Sequence, residues 1–398
     1  MDAYIYDAVR TPRGSIRKNG SLHDVEPVEL VKQLIEALQK RNSHVTTAIE
    51  DVILGCVTQL KDQGANIAKT AATYAGLPYS VPGMTVTRLC TSGLDAISIA
   101  ASKVNSVMHD VIVAGGVESV SRVPMFSDDG AWFANPHVSE QTKFLHMGIS
   151  ADLMAQFAQL NRQQLDQYAV RSHQQAAKAL HDNRFHNSVV PVRRNDEVLL
   201  SHDELIRENI SLDTLSSLEP SFASFLSTQQ RAMIQEEFPS MEEVNHVHHV
   251  GNSPSLADGA ALLVIGNERA QQHLQQQPIA KIIGTLSIAE HPMLLLGGQV
   301  AAEKLLKKCK LTIDEMDVVE FYEAYAATAV KAMQDWNVDD HKFNPNGGVI
   351  ATGHALGATG AIMVCSLLDE LQHRNGKYGL VTLSGGGGVG TAMILEKL

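Results

Sequence analysis

Cys90, His354 and Ser384 each stand at the edge of a turn, beside glycine or just ahead of an apolar run. Cys90-Thr91-Ser92-Gly93 leads into LDAISIAASKVNSVM, which is apolar almost all round. A helix starting there would set free N–H groups and a partial positive charge beside the thiol. That setting lowers a thiol pKa and makes a nucleophile. The plain alternative is a small buried residue, the usual state of an intracellular cysteine. His354-Ala355-Leu356-Gly357 leads into a second apolar run, GAIMVCSLLDEL. A neutral imidazole is a base and hydrogen-bond donor near neutral pH, although a lone histidine on a turn is more often structural. Ser384 precedes four glycines, Gly385 to Gly388, with Val381-Thr382-Leu383 leading in and Val389–Ile394 leading out. Glycines there let a ligand approach the backbone, and their N–H groups can hold a developing oxyanion. A flexible loop is the alternative, but strands directly on both sides favour a tight functional turn.

The remaining candidates carry less. Cys365 in IMVCSLL reads as core, Cys56 at the end of VILGC as packing, and Cys309 in KKCK as an exposed structural thiol. No C-x-x-C pair occurs among the four cysteines, so a zinc or redox motif is not expected. The cluster His246-Val247-His248-His249 lacks a carboxylate or cysteine at a recognised metal spacing, and no metal is expected.

The elements that must position these residues repeat one grammar. Gly83–Val86, the turn at Cys90, the run from Leu94 to Met108 and a strand from Asp110 to Ala114 ending in Gly115-Gly116 form one unit. Asn346–Ile350, the turn at His354, the second apolar run and a strand from Tyr378 to Leu383 form the other. Alternating strands and helices predict parallel sheets covered on both faces. Helices apolar on every side are interior, so the expected fold class is α/β, two similar halves in a layered αβαβα sandwich. Both turns would then approach one interface, where cysteine plus histidine is a nucleophile with its activator. The predicted organisation is an N-terminal half over 1–120 with 250–270 returning to it, an inserted loop domain over 121–249, and a C-terminal half over 271–398. The segment Asp203–Ser224 reads as loop. A loop insertion of this kind shapes a substrate entrance.

With 398 residues the chain exceeds the ~250–300 at which single cores stop growing. The formal net charge of −12 argues against nucleic acid but leaves room for an anionic small ligand at a helix N-terminus. Neither a secretory signal nor a run of ~18 apolar residues is present, and a cytoplasmic, reduced location is expected.

Taken together, the motifs resemble those of the thiolase family, the 3-ketoacyl-CoA thiolases and acetyl-CoA acetyltransferases. The resemblance spans nearly the whole length: DAVRTPRG at the start, RLCTSGLDAI, AGGVES at 114–119, HMG at 146–148, GNSPSLADGAALLVIG at 251–266, NPNGGVIATGHALGATGA and the final glycine turn. The 246–266 region is most similar to thiolases of fatty-acid β-oxidation complexes. The resemblance implies the thiolase fold, a homodimer or homotetramer, acyl-CoA and CoA as substrates, other β-oxidation enzymes as partners, and no permanently bound cofactor. It implies Cys90 as the acyl-accepting nucleophile, His354 as its activator, and the N–H groups of Cys90 and Gly386 as an oxyanion hole. Met147, Ser253 and Gly387 are implied to bind substrate.

The departures from the family pattern fall in the same place. A second cysteine, the acid/base for the substrate α-carbon, is replaced by Ser384, a poor carbon-acid base. The family Asn-Glu-Ala-Phe reads Tyr322-Glu323-Ala324-Tyr325, which puts Tyr322 where the asparagine holds a water in the second oxyanion site; either its hydroxyl replaces that water or its ring blocks the site. Gly-His-Pro reads Gly353-His354-Ala355, and Pro254 replaces a serine near the pantetheine. The expected activity is that of an acyl-CoA C-acyltransferase working through an acyl-cysteine. The alternative is a diverged member without C–C bond chemistry, acting as an acyl-CoA hydrolase or transferase or as a CoA-binding subunit.

Overall fold

A computed structural model describes residues 1–398. One continuous hydrogen-bonded sheet runs through the molecule in the order Val318–Phe321, Tyr378–Ser384, Val389–Lys397, Ala280–Ala289, Tyr4–Arg10, Ala257–Gly266, Val111–Ser119, Asp51–Gly55, Met84–Val86. The two halves meet only where Tyr4 and Ile5 pair with Lys281 and Ala280. The expected two sheets are therefore two halves of a single ladder joined at one narrow seam. Parallel pairing lies at the outer edge of each half, two pairs in the first and one in the second, and antiparallel strands lie at the centre, so the sheets are mixed rather than parallel.

Two helices lie between the halves, Ser92–Asn105 and Thr359–Arg374. Each packs against strands of both halves and against the other. They approach so closely that a Cβ on Gly93 would lie 2.6 Å from the Gly357 carbonyl oxygen, and one on Gly360 2.6 Å from the Leu94 nitrogen. Helix Thr359–Arg374 buries every residue from Thr359 to Leu371, as its apolar run requires. Outside, Pro27–Arg41 covers the first half with Leu30, Val31, Leu34, Ile35 and Leu38 on one face, opened by a proline in its first turn and closed by Lys40 and Arg41. Gly297–Cys309 covers the second. The layers are those of an αβαβα sandwich. Between Val120 and Leu256 the chain forms helices including Met147–Phe157, Arg162–His181 and Thr228–Glu237 and a small hairpin, Val192–Arg194 with Glu197–Leu200.

Several sequence boundaries shift. The first central helix ends at Asn105, because Val107 adopts φ +61° and Val107 and Met108 are exposed. The strand after it does not stop at Gly115-Gly116 but continues to Ser119, paired along its whole length with Ala257–Gly266. Asn346–Ile350 is not a strand: a short helix spans Val349–Thr352, and Val318–Phe321 supplies the strand of the second half. Both errors share a cause. Glycines in those stretches read as ends and strand exits, where the chain uses them for close backbone approach.

Candidate active site

The turn ahead of the first central helix is fastened by its own side chains. Ser92 Oγ accepts from the Arg88 N–H (2.8 Å) and donates to the Leu89 carbonyl, while Thr91 Oγ1 donates to Asp95 (2.7 Å). Leu89 is held at φ +53°, a left-handed conformation costing a non-glycine residue about 1–2 kcal/mol. The strain sits one residue before Cys90 and presents the half-buried thiol at a cavity wall.

The turn ahead of the second central helix is fastened from a distance. The His354 N–H donates to the Ser255 carbonyl (2.8 Å), and its own carbonyl accepts from Ala257 (2.9 Å). Arg13 Nη1 reaches the Gly353 carbonyl (3.3 Å), and the Gly357 N–H donates to Glu118 (2.9 Å). Imidazole Nδ1 is hydrogen-bonded to Thr359 Oγ1 at 2.8 Å, leaving Nε2 buried without a partner. Burial, and then the Arg13 charge, push the His354 pKa down to about 3. The ring is therefore neutral near physiological pH, and its free Nε2 faces the cavity as a hydrogen-bonding nitrogen.

Both turns open into one cavity of about 270 Å³. Its lining includes Cys90, His354, Ser384, Gly385, Gly386, Tyr322, Tyr325, His146, Met147, Ser253, Phe222 and Leu295. None of its 19 lining residues is Asp, Glu, Lys or Arg. Its histidines, His146 and His354, are both held below the ordinary histidine range by burial.

The thiol does not behave as its place near a helix start predicts. Burial pushes Cys90 up to about 11, against hydrogen bonding from the Tyr322 hydroxyl and from the N–H groups of Gly386 and Cys90 itself. Desolvation outweighs the donors and the helix end, so the resting form is the neutral thiol. Cys309 is half-buried, with no lowering of its thiol pKa despite Lys308.

Two domain models match the chain, the thiolase N-terminal domain over residues 3–228 and the thiolase C-terminal domain over 276–397. A 3-ketoacyl-CoA thiolase of Alcanivorax borkumensis is 37% identical, covering all of this chain and 98% of its own. A beta-ketoadipyl-CoA thiolase of Acinetobacter baylyi is 36% identical over all of this chain and 99% of its own. Among solved structures, the acetyl-CoA acetyltransferase of Bacillus anthracis superposes with a TM-score of 0.86 at 32% identity, covering 100% of this chain and 99% of its own. The chain belongs to the thiolase family.

Within this thiolase site the glycine turn divides in two. Gly385 and Gly386 line the cavity, and a Cβ on Gly386 would make ordinary contacts with Leu89 and Met147 at 3.6 Å. Gly387, expected to bind substrate, does not reach the cavity. It takes φ +67°, and a Cβ there would strike the Trp132 ring at 1.9 Å. Gly388, at φ +77°, lies against the Glu290 carbonyl. Half of the run is glycine because of the protein's own packing.

Ser384 is buried and fully engaged. Its hydroxyl donates to the Leu295 carbonyl (2.9 Å) and accepts from the Gly298 N–H (2.8 Å). It ties the strand Tyr378–Ser384 to the start of the helix Gly297–Cys309. Ser253 Oγ is buried without a partner, next to Pro254 and Ser255 on the same wall. The histidine cluster does meet carboxylates, brought by other helices: His246 and His248 bond Asp152 (2.7 and 2.8 Å), and His249 bonds Asp166 (2.8 Å). These pairs brace the cavity floor through the His248 ring, 5.4 Å from that of Tyr325.

Some lining residues had little sequence signal. His146 stacks on Phe225 (4.2 Å) with Phe222 nearby (5.6 Å). The HMG motif marked His146, but nothing marked Phe222 or Leu295, which arrive from loops of no regular pattern.

Proposed function

We propose that this protein is an acyl-CoA C-acyltransferase of the thiolase type, cleaving 3-ketoacyl-CoA through an acyl group on Cys90. The observation that supports it most is the convergence on one cavity of the Cys90 thiol, the unpartnered Nε2 of neutral His354 and the backbone at Gly386. In the first step Cys90 gives its proton to His354 and its sulfur attacks C3 of the substrate. The N–H groups of Cys90 and Gly386 serve the resulting oxyanion. The C2–C3 bond then breaks, its electron pair stays on C2, and that carbon takes up a proton from the cavity in place of the one His354 received, which His354 gives up in turn, so that acetyl-CoA leaves and the imidazole is neutral again. In the second step the thiol of CoA loses its proton to His354, attacks the Cys90 thioester and departs as acyl-CoA, with Cys90 regaining its proton. CoA is a co-substrate throughout.

The uncharged cavity favours an apolar acyl chain. An ω-carboxylate, as in a ketoadipyl group, would be desolvated there without a cationic partner, at a cost of several kcal/mol. The same reading carries with it a cytoplasmic location, β-oxidation enzymes as neighbours and a homodimer or homotetramer. The half-buried edge strand Met84–Val86 has a ladder partner on one side only, a ready surface for a second copy. Light scattering should give at least twice 43.1 kDa.

The deciding experiment is intact-mass analysis after incubation with 3-ketooctanoyl-CoA, with thiolysis followed in parallel and 3-ketoadipyl-CoA as the comparison. An octanoyl-derived hexanoyl adduct on Cys90, with CoA-dependent turnover favouring the apolar substrate, is expected. No adduct on Cys90 overturns the reading. An adduct from simple acyl-CoA without 3-ketoacyl cleavage leaves an acyltransferase that has lost C–C bond chemistry.

A further inference from the structure

We propose that Asp95 is a positioning residue, its carboxylate tying the Cys90 turn to two strands of the second half and so setting the spacing between the N–H groups of Cys90 and Gly386. The role rests on the acyl-Cys90 reading above, in which those two groups share one oxyanion.

The two N–H groups come from different halves of the molecule. Cys90 precedes the helix Ser92–Asn105, and Gly386 lies in the turn between Tyr378–Ser384 and Val389–Lys397. The two segments abut: a Cβ on Gly385 would stand 3.5 Å from the Cys90 nitrogen, and one on Gly386 3.6 Å from Leu89 Cδ1. The sheet does not register them, since its halves pair only through Tyr4 and Ile5. Asp95 is buried in the first turn of the helix, with 5% exposed. On one side it accepts from Thr91 Oγ1 (2.7 Å) and pairs with Arg88, so it holds both ends of the stretch that carries Cys90. On the other side it accepts from Ser287 Oγ (2.7 Å) and Thr391 Oγ1 (3.2 Å). Ser287 and Thr391 are register partners on neighbouring strands, and Thr391 also pairs with Leu383, two residues ahead of the glycine run. The hydrogen bonds that run from residues 87–95 to the second half all end on this carboxylate.

A buried carboxylate is tolerated when it is paired and hydrogen-bonded in this way. Asp95 does not line the cavity, so it acts through the turn. Two donors serve one oxyanion only if both reach it, at about 2.7–3.1 Å. A misplacement of about 1 Å costs up to about 10²-fold in rate.

The test compares two reactions of Cys90 in wild type, Asp95→Asn and Asp95→Ala. Acylation by hexanoyl-CoA, followed by intact mass over time, passes through an oxyanion. Alkylation by iodoacetamide displaces iodide and passes through none. Asp95→Ala should lower the saturating acylation rate about 10- to 100-fold, with the half-saturating concentration little changed and alkylation within about twofold of wild type. Asp95→Asn keeps one acceptor oxygen and should recover part of the loss. Should Asp95→Ala not fold, Thr391→Val and Ser287→Ala cut the same tie from the far side, and each should lower acylation without lowering alkylation. Combined with Asp95→Asn, they should add less than their separate effects, as members of one network do. Equal losses in both reactions overturn the proposal, since the carboxylate would then only shape the loop around the thiol. Unchanged acylation in every variant overturns it as well. A wild type that takes no acyl group defeats the thiolase reading and this one with it, whereas an acylated wild type matched by its variants defeats this one alone.

Discussion

The two turns that carry Cys90 and His354 occupy equivalent places before the two central helices, yet they are held by opposite means. The Cys90 turn is a local device: Arg88, Leu89, Thr91, Ser92 and Asp95 fasten one another within eight residues of chain. The His354 turn is fastened by partners far away in sequence, Arg13, Glu118, Ser255 and Ala257. The proposed nucleophile is thus presented by a strained short loop, and the proposed base is fixed by the tertiary fold. Substitutions in the first turn should act on chemistry alone, whereas those behind the second should act on chemistry and stability together.

The sharpest break is Cys90→Ala, which removes the atom proposed to receive the acyl group. No acyl adduct should appear by intact mass with any acyl-CoA, while the melting temperature stays close to wild type. A surviving adduct elsewhere in the chain would mean that the local turn is not the nucleophile's seat. His354→Ala comes next, with a loss of roughly 10²–10⁴-fold in turnover. The pH dependence separates the turns further. Since the His354 pKa lies at about 3, the imidazole is already neutral throughout pH 5–8, and no acid limb near 6.5 should appear in kcat/KM. For stability the sign is fixed: between pH 6.5 and about 3 the unfolded chain binds a proton at this histidine that the folded chain does not, so it contributes falling stability as pH falls through that window. Cys90 alkylation should rise tenfold per pH unit toward about 11, without levelling near the ~8.5 of a free thiol.

The contrast also decides what could be read from sequence. Cys90-Thr91-Ser92-Gly93 before an apolar run announces its helix and its turn, because the hydrogen bonds that shape the turn itself are local, although Asp95 also accepts from Ser287 and Thr391. The layered α/β fold was legible for a similar reason: two apolar runs of helical length, each followed by a strand, leave few ways to bury both. At His354 only the residue was legible. Arg13, Glu118 and Ser255 carry no spacing that relates them to it, and their convergence is a product of the ladder of Tyr4–Arg10, Ala257–Gly266 and Val111–Ser119, at whose shared end all three lie. The thiol pKa was misjudged because a helix start is visible in sequence and the depth of the surrounding cavity is not. Gly387 was misjudged because a run of glycines looks alike from end to end, while Trp132, which demands the third of them, lies far off in the chain.

The tertiary anchoring of the second turn can be tested behind it. Asp203 is buried between Arg10 (2.9 Å) and Arg13 (3.0 Å), and those charges hold its carboxyl below the usual range. Asp203→Ala would leave two buried guanidinium groups without their shared partner, at a cost of about 3–5 kcal/mol in urea unfolding. It should also lower turnover by loosening Arg13 from Gly353. In wild type this contribution is present above the ordinary aspartate pKa of about 4 and is lost as pH falls below it. A variant unchanged in both measurements would show that the His354 turn holds itself, as the Cys90 turn does.

The smallest effect expected is at Ser384, and it bears on where the two turns meet the glycine strand. The family pattern sets a thiol there to exchange a proton with the substrate α-carbon. Here the hydroxyl proton is spent on the Leu295 carbonyl and the oxygen on the Gly298 N–H, so Ser384 works as a brace for the turn that carries Gly386. Ser384→Ala should cost about 1–3 kcal/mol of stability, since it leaves the buried Gly298 N–H without a partner, and should hardly change acylation of Cys90 by simple acyl-CoA. Ser384→Cys separates brace from base. A thiol is a weaker hydrogen-bond donor, so some stability should be lost, but it can ionise where serine cannot, and 3-ketoacyl-CoA cleavage should rise severalfold. Coupling with Tyr322→Asn is expected because both residues line one cavity. If Ser384→Cys gives no gain and wild type already turns over near the ~10 s⁻¹ typical of enzymes, the α-carbon proton moves through another group of this cavity, and the brace is the whole of what Ser384 does.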